Sequence, residues 1–193
     1  MANRHLLSIR HRLDIISGAA ALLLLASSAS HPASARLPWA ATSGLHFVEA
    51  VINADNYRAR AGGLAMKKSP SPDVRDFGRA LWVDSIEDTR NLQWVLDQLD
   101  PPPFLPTTVS PQYLFVIDEL LPVTGHEFDR RFIAQQAASL YQALALAQAY
   151  ARFGDDFDLK EYAKRSAPKI AARLEQIRRI EMRLGEWRVG SSE

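Results

Sequence analysis

The chain has 193 residues, 47% of them hydrophobic, with 23 Lys and Arg against 22 Asp and Glu for a formal net charge of +1. So even a balance gives no general attraction to nucleic acid. With no cysteine there is no disulfide, thiolate metal site, thiol nucleophile or lipid-modified cysteine, and packing alone must hold the fold.

The first 35 residues read as an export signal. Arg4, Arg10 and Arg12 form a basic flank, Ile15 to Ala26 is an apolar run, and Ala33-Ser34-Ala35 fits a small-x-small cleavage site. The run is shorter than the ~20 apolar residues that a membrane span takes. The expected product is periplasmic, cleaved near Ala35, with no span in the mature part; a retained anchor is the alternative. The remaining 158 residues, Arg36 to Glu193, suit one domain. Cleavage removes three bases and Asp14, leaving 20 bases and 21 acids, net −1.

Residues 36–44 read as a leader. A first helix is expected from about Leu45 to Lys67, capped by Ser43, because Phe47, Val51, Ala54, Ala61 and Ala65 recur at helical spacing. A second starts with Ser71 as cap and Pro72 at its first position, and carries the stripe Val74, Phe77, Leu81, Ser85, Asp88, Leu92, Val95 and Leu99. Six of the eleven prolines lie between Pro101 and Pro122, which rules out a long helix there. That segment reads as a crossover holding one short helix, about Pro111 to Leu121, with Ser110 as cap.

A third long helix is expected from about His126 to Phe153, with Phe128, Phe132, Leu140, Leu144 and Tyr150 facing inward and Gly154 as its stop. The fourth is capped by Asp156 and runs to about Leu184; Pro168 inside it should bend it. Period-two alternation is absent. The expected fold is all-α: a ferritin-like four-helix bundle over residues 45–185 with a long Pro-rich crossover, followed by a tail, 186–193. The core is expected to include Phe77, Leu81, Leu92, Phe132, Leu144, Ile170 and Leu174.

Two helix starts read almost alike. Ser71-Pro72-Asp73-Val74-Arg75-Asp76-Phe77-Gly78-Arg79 and Asp156-Phe157-Asp158-Leu159-Lys160-Glu161-Tyr162-Ala163-Lys164 share a cap, then acid, aliphatic, base, acid, aromatic, small and base. Together with Phe47-Val48-Glu49-Ala50, Gly125 with Phe128-Asp129-Arg130, Ala143 to Leu146, and Pro168, they make the chain resemble the bacterial domain of unknown function 4142 family. The resemblance covers roughly Leu45 to Leu184. It implies an exported ferritin-like bundle of unassigned function. Members of that family often carry histidines on three helices, which suggests a metal site. The register of the motifs places Ile86, Leu140 and Arg173 at those positions here.

The residues themselves give little chemistry. A ferritin-like di-iron site needs Glu-x-x-His pairs, and the chain has none. His46 and His126 are the only histidines of the mature part. His126 with Glu127 and Asp129 offers three candidate zinc ligands, against the reading of acids favouring a helix N-terminus beside a surface histidine. No Gly-x-Ser-x-Gly or serine–histidine arrangement supports a hydrolase. The expectation is therefore no catalytic residue, no metal and no cofactor. Asp55, Ser85, Asp88, Gln135 and Ser166 interrupt the apolar stripes and are candidates for a buried polar patch. Lys164, Lys169, Arg173 and Arg179 on the basic last helix are candidates for an anion-binding face toward an anionic surface or envelope protein. The alternative is a solvated face complemented by the acidic second helix. Trp82 is expected to pack under the proline segment. The function read from all this is a non-catalytic exported bundle in envelope interaction or stress tolerance. The alternative is a metal-binding ferritin-like oxidoreductase or metal store.

Overall fold

Five helices follow in chain order: α1 Gly44–Lys68, α2 Pro72–Leu96, α3 Pro111–Asp118, α4 Gly125–Phe153 and α5 Phe157–Gly190. The computed structural model describes residues 43–98 and 106–190, and no strand occurs among them. The expected signal segment, most of the leader, Leu99, Pro101 to Pro103 and the last three residues of the tail lie outside the described residues.

Helix starts follow local chemistry where a short polar side chain reaches a free amide. Ser71 Oγ accepts from the Val74 amide at 3.4 Å, and Asp156 Oδ1 accepts from Leu159 at 2.9 Å. Ser43 and Ser110 hold the expected N-cap positions of α1 and α3, but through their backbone carbonyls alone. The Gly44 amide donates to Asp155 Oδ1 at 2.9 Å, 111 positions away in sequence, and the Tyr150 hydroxyl donates to the same oxygen at 2.8 Å. The α4–α5 turn therefore caps α1. Two helix ends also differ from expectation. The short crossover helix stops at Asp118 because the Leu120 and Leu121 amides turn back to the carbonyls of Ile117 and Asp118. α5 continues past Leu184 to Gly190. Pro168 lies inside α5, where its missing N–H leaves the Lys164 carbonyl without its helical donor.

The pairings fix the topology. Three-residue connections make α1–α2 and α4–α5 antiparallel hairpins. Between hairpins, Phe47 stacks on Tyr150, Gln136 meets Tyr57 and Ser69 meets Asp129, so α1 also runs antiparallel to α4. Asp73 with Arg183 and Asp84 with Arg173 set α2 antiparallel to α5. α2 and α4 are consequently parallel, and the chain must return the full length of the bundle between them. The crossover makes this return along α1. Asn56 Nδ2 donates to the Pro106 and Thr108 carbonyls, Tyr57 stacks on Tyr113, and Lys68 donates to the Leu120 and Leu121 carbonyls. This is the ferritin-like arrangement with one long crossover.

The core divides into two clusters. Phe47, Ile52, Leu92, Tyr150 and Leu159 fill the end where α1 begins. Phe77, Leu81, Phe128, Phe132, Leu174 and Ile177 fill the other. Two expected core residues, Leu144 and Ile170, are only half-buried. Trp82 is 44% exposed on the outside of α2, so its expected burial is also corrected.

Candidate functional site

The polar stripe positions meet at mid-height, between the two core clusters. α1 carries Asp55, 1% exposed, and one turn later Arg58, 7% exposed. They form an ion pair through Arg58 Nη2 and Asp55 Oδ1. Each keeps one buried atom without a hydrogen-bond partner in the protein: Asp55 Oδ2 and Arg58 Nη1. Burial outweighs the attraction of Arg58 and pushes the Asp55 carboxyl up to about 6; Asp88 and Asp84 add to the rise.

Two cavities flank this pair. One, of about 270 Å³, lies between α1, α4 and α5, walled by Phe47, Leu146, Tyr162 and Ser139, with Tyr113 of the crossover at its edge. The other, of about 340 Å³, lies between α2 and α5, with Asp84, Ser85, Lys169 and Arg173. Asp55, Arg58, Asp88 and Ile170 border both, which explains why Ile170 is incompletely covered.

Of the candidate polar patch, Asp55, Ser85, Asp88 and Ser166 border these cavities. Ser166 Oγ donates back to the Tyr162 carbonyl at 3.0 Å. Gln135 does not join them: its amide donates to the Val116 carbonyl and to Glu119, both at 3.0 Å, and ties α4 to the crossover. Its neighbour Gln136 is the fully buried one, donating to the Tyr57 hydroxyl at 2.9 Å. Ser139, 6% exposed, keeps its hydroxyl unpartnered beside the first cavity.

Three bases of the last helix, Lys169, Arg173 and Arg183, meet acids of α2. Arg173 donates to both Asp84 carboxylate oxygens, at 2.5 and 2.9 Å, and these bonds raise its pKa. Lys169 Nζ lies 3.7 Å from Asp88, whose own pKa burial raises and Lys169 lowers. Arg183 binds Asp73 at 2.6 Å. Lys164 is held by Glu161 one turn earlier, and Arg179 is exposed.

The candidate zinc triplet separates. Glu127 faces outward and binds Arg130 and Arg131. Asp129 is fully buried and accepts from Ser69 Oγ at 2.5 Å. Burial raises its pKa, offset by that bond and by His126. His126 Nδ1 sits 3.7 Å from the other Asp129 oxygen. Among the described residues, no group of three or more His, Asp or Glu is placed to hold a metal ion. Of the three positions that the resemblance singled out, Ile86 is 38% exposed and Leu140 is buried, while Arg173 is spent on Asp84. These side chains do not fit a metal.

Helix order, crossover and mid-height polar layer define an all-α bundle of the ferritin-like class. The family model described as Domain of unknown function (DUF4142) matches residues 27–180, and the chain belongs to that family. Among solved structures, it is similar to one described as "CopM in the Cu(II)-bound form", at a TM-score of 0.61 and 15% identity, covering 75% of this chain and 97% of that one. At that identity the likeness shows the fold alone. No curated protein matches the sequence.

Proposed function

We propose that this chain is an exported, non-catalytic helical bundle acting in the cell envelope, in interaction or stress tolerance, and that it works without a resident metal. One observation carries the second part. Three mid-height acids face a base: Asp55 the Arg58 guanidinium, Asp84 that of Arg173, Asp88 the Lys169 ammonium. Where a metal-binding bundle would gather uncompensated carboxylates and imidazoles, this one has internal ion pairs, and a divalent cation would have to displace them. Export is supported by the basic flank, the Ile15 to Ala26 run and Ala33-Ser34-Ala35. It agrees with the finding that no helix among the described residues is long and apolar enough to cross a membrane.

The competing reading is a metal-binding bundle or metal store, and the Cu(II)-bound neighbour of like fold is what favours it. Elemental analysis of untagged, exported protein separates the two. The proposal expects copper, iron and zinc far below one per chain. Stoichiometric metal would overturn it. Intact mass of the same sample tests export: a mature N-terminus near Arg36 is expected, and a full-length mass in the membrane fraction would contradict it.

A further inference from the structure

The smaller cavity has the features of a ligand site. It holds about 270 Å³. An apolar cavity of about 150 Å³ is enough to take benzene, so the space here suits a substituted single ring or a short branched chain. Phe47, Val51, Leu146 and Tyr162 supply an apolar and aromatic wall. Ala50 and Gln142 border it and are exposed, which places its mouth between α1 and α4.

Its lining includes Asp55, Arg58 and Ser139, the first two shared with the second cavity. Arg58 Nη1 has a proton to give, Asp55 Oδ2 has a lone pair to fill, and Ser139 Oγ can do either; all three atoms are buried without a partner in the protein. Buried polar groups in this condition cost free energy until something bonds them. The charges there already cancel. Arg58 faces Asp55, and Asp88 faces Lys169 across the shared wall. A charged guest would therefore bring an unpaired charge into a neutral buried site.

We infer that this cavity binds a small neutral molecule with an apolar body and a head group that both accepts and donates hydrogen bonds, a primary carboxamide being the simplest such head. The carbonyl takes the Arg58 Nη1 proton, the amide N–H fills Asp55 Oδ2, and the body lies against Phe47 and Tyr162. Ser139 completes the head-group contacts. No covalent step is involved, and the assignment does not depend on the metal question.

Three single-ring probes test it: benzamide, its anionic isostere benzoate and the cation benzylamine, titrated calorimetrically into the purified protein with EDTA present, so that no metal takes part. Benzamide should bind saturably, with benzoate and protonated benzylamine at least tenfold weaker. Loss of Arg58 could unfold the bundle, so the diagnostic variant is Ala143→Leu. Ala143 borders the cavity, is half-buried on α4 and tolerates leucine as a helix residue. This variant should keep the wild-type circular dichroism spectrum and lose benzamide binding at least tenfold. No saturable binding of benzamide would overturn the site, as would binding that Ala143→Leu leaves unchanged. Benzoate or benzylamine binding as tightly as benzamide would overturn the neutral head group.

Discussion

Gly62 and Gly63 are sequence neighbours in α1, and the structure assigns them opposite responses to the same substitution. In a helix interior, Gly→Ala alone is favourable by about 1 kcal/mol, through backbone entropy. At Gly63 nothing lies within 4 Å of an added Cβ, so Gly63→Ala should stabilise by about 0.5–1 kcal/mol. At Gly62 an added Cβ would stand 2.4 Å from the Gly78 carbonyl oxygen on α2. Gly78 meets the same crossing from the other side, with an added Cβ 2.8 Å from Ala65 Cβ and 2.9 Å from the Gly62 oxygen. The obstacle at Gly62 is backbone, so the helices themselves must separate. Overpacking of that kind costs about 1–3 kcal/mol, and after the propensity gain of about 1 kcal/mol Gly62→Ala should destabilise by up to about 2 kcal/mol. Urea unfolding followed by far-UV circular dichroism reads both variants on one scale. Gly62→Ala as stabilising as Gly63→Ala would mean that α1 and α2 do not touch backbone to backbone at this point, and the hairpin packing would be wrong.

Phe132→Ala should cost about 3–5 kcal/mol, because Phe132 is fully buried and pairs with both Phe77 and Phe128; a loss below about 1 kcal/mol in the same assay would break the register of α4. Removing one partner of the buried pair, by Asp55→Asn or Arg58→Met, should cost about 3–5 kcal/mol, whereas Asp55→Leu with Arg58→Met should be neutral or stabilising; a double variant as unstable as the singles would refute this. The raised Asp55 pKa has a definite sign: the folded state binds the proton more tightly than the unfolded one, so this contribution to stability falls as pH rises from about 4 to about 6. Unfolding at stepped pH, read as the difference between wild type and Asp55→Asn, should show that fall, and a rise would contradict it. Arg173→Ala should lose about 1 kcal/mol, the upper range for a half-exposed pair, through its two bonds to Asp84; no change on thermal or urea unfolding would leave the α2–α5 pairing unsupported.

The fold was legible because helical spacing and caps are local. Val74, Phe77, Leu81 and Leu92 fall on one α2 face and are buried there. The site was legible only in part. Asp55 and Ser85 stand out as polar interruptions of apolar stripes, but Arg58 was passed over although it falls between Ala54 and Ala61 at the same helical spacing. That periodicity alone puts its guanidinium inside, one turn from Asp55. Asp84 and Arg173 form their pair 89 positions apart, and no local pattern announces a partner on another helix. Gln135 and Gln136 differ by a single step around the helix, finer than a stripe resolves. The side-chain cap of α1 comes from Asp155, 111 positions along the chain, where a local reading looks only at Ser43.

Internal ion pairs, rather than a metal, are proposed to balance the charges at the middle of this bundle. Thermal unfolding of the untagged protein, with EDTA and separately with one equivalent of Cu(II), tests this directly, since a ligand bound only to the native state raises the melting temperature. The same melting temperature as in plain buffer is expected in both cases. A fall with EDTA that Cu(II) reverses would contradict it.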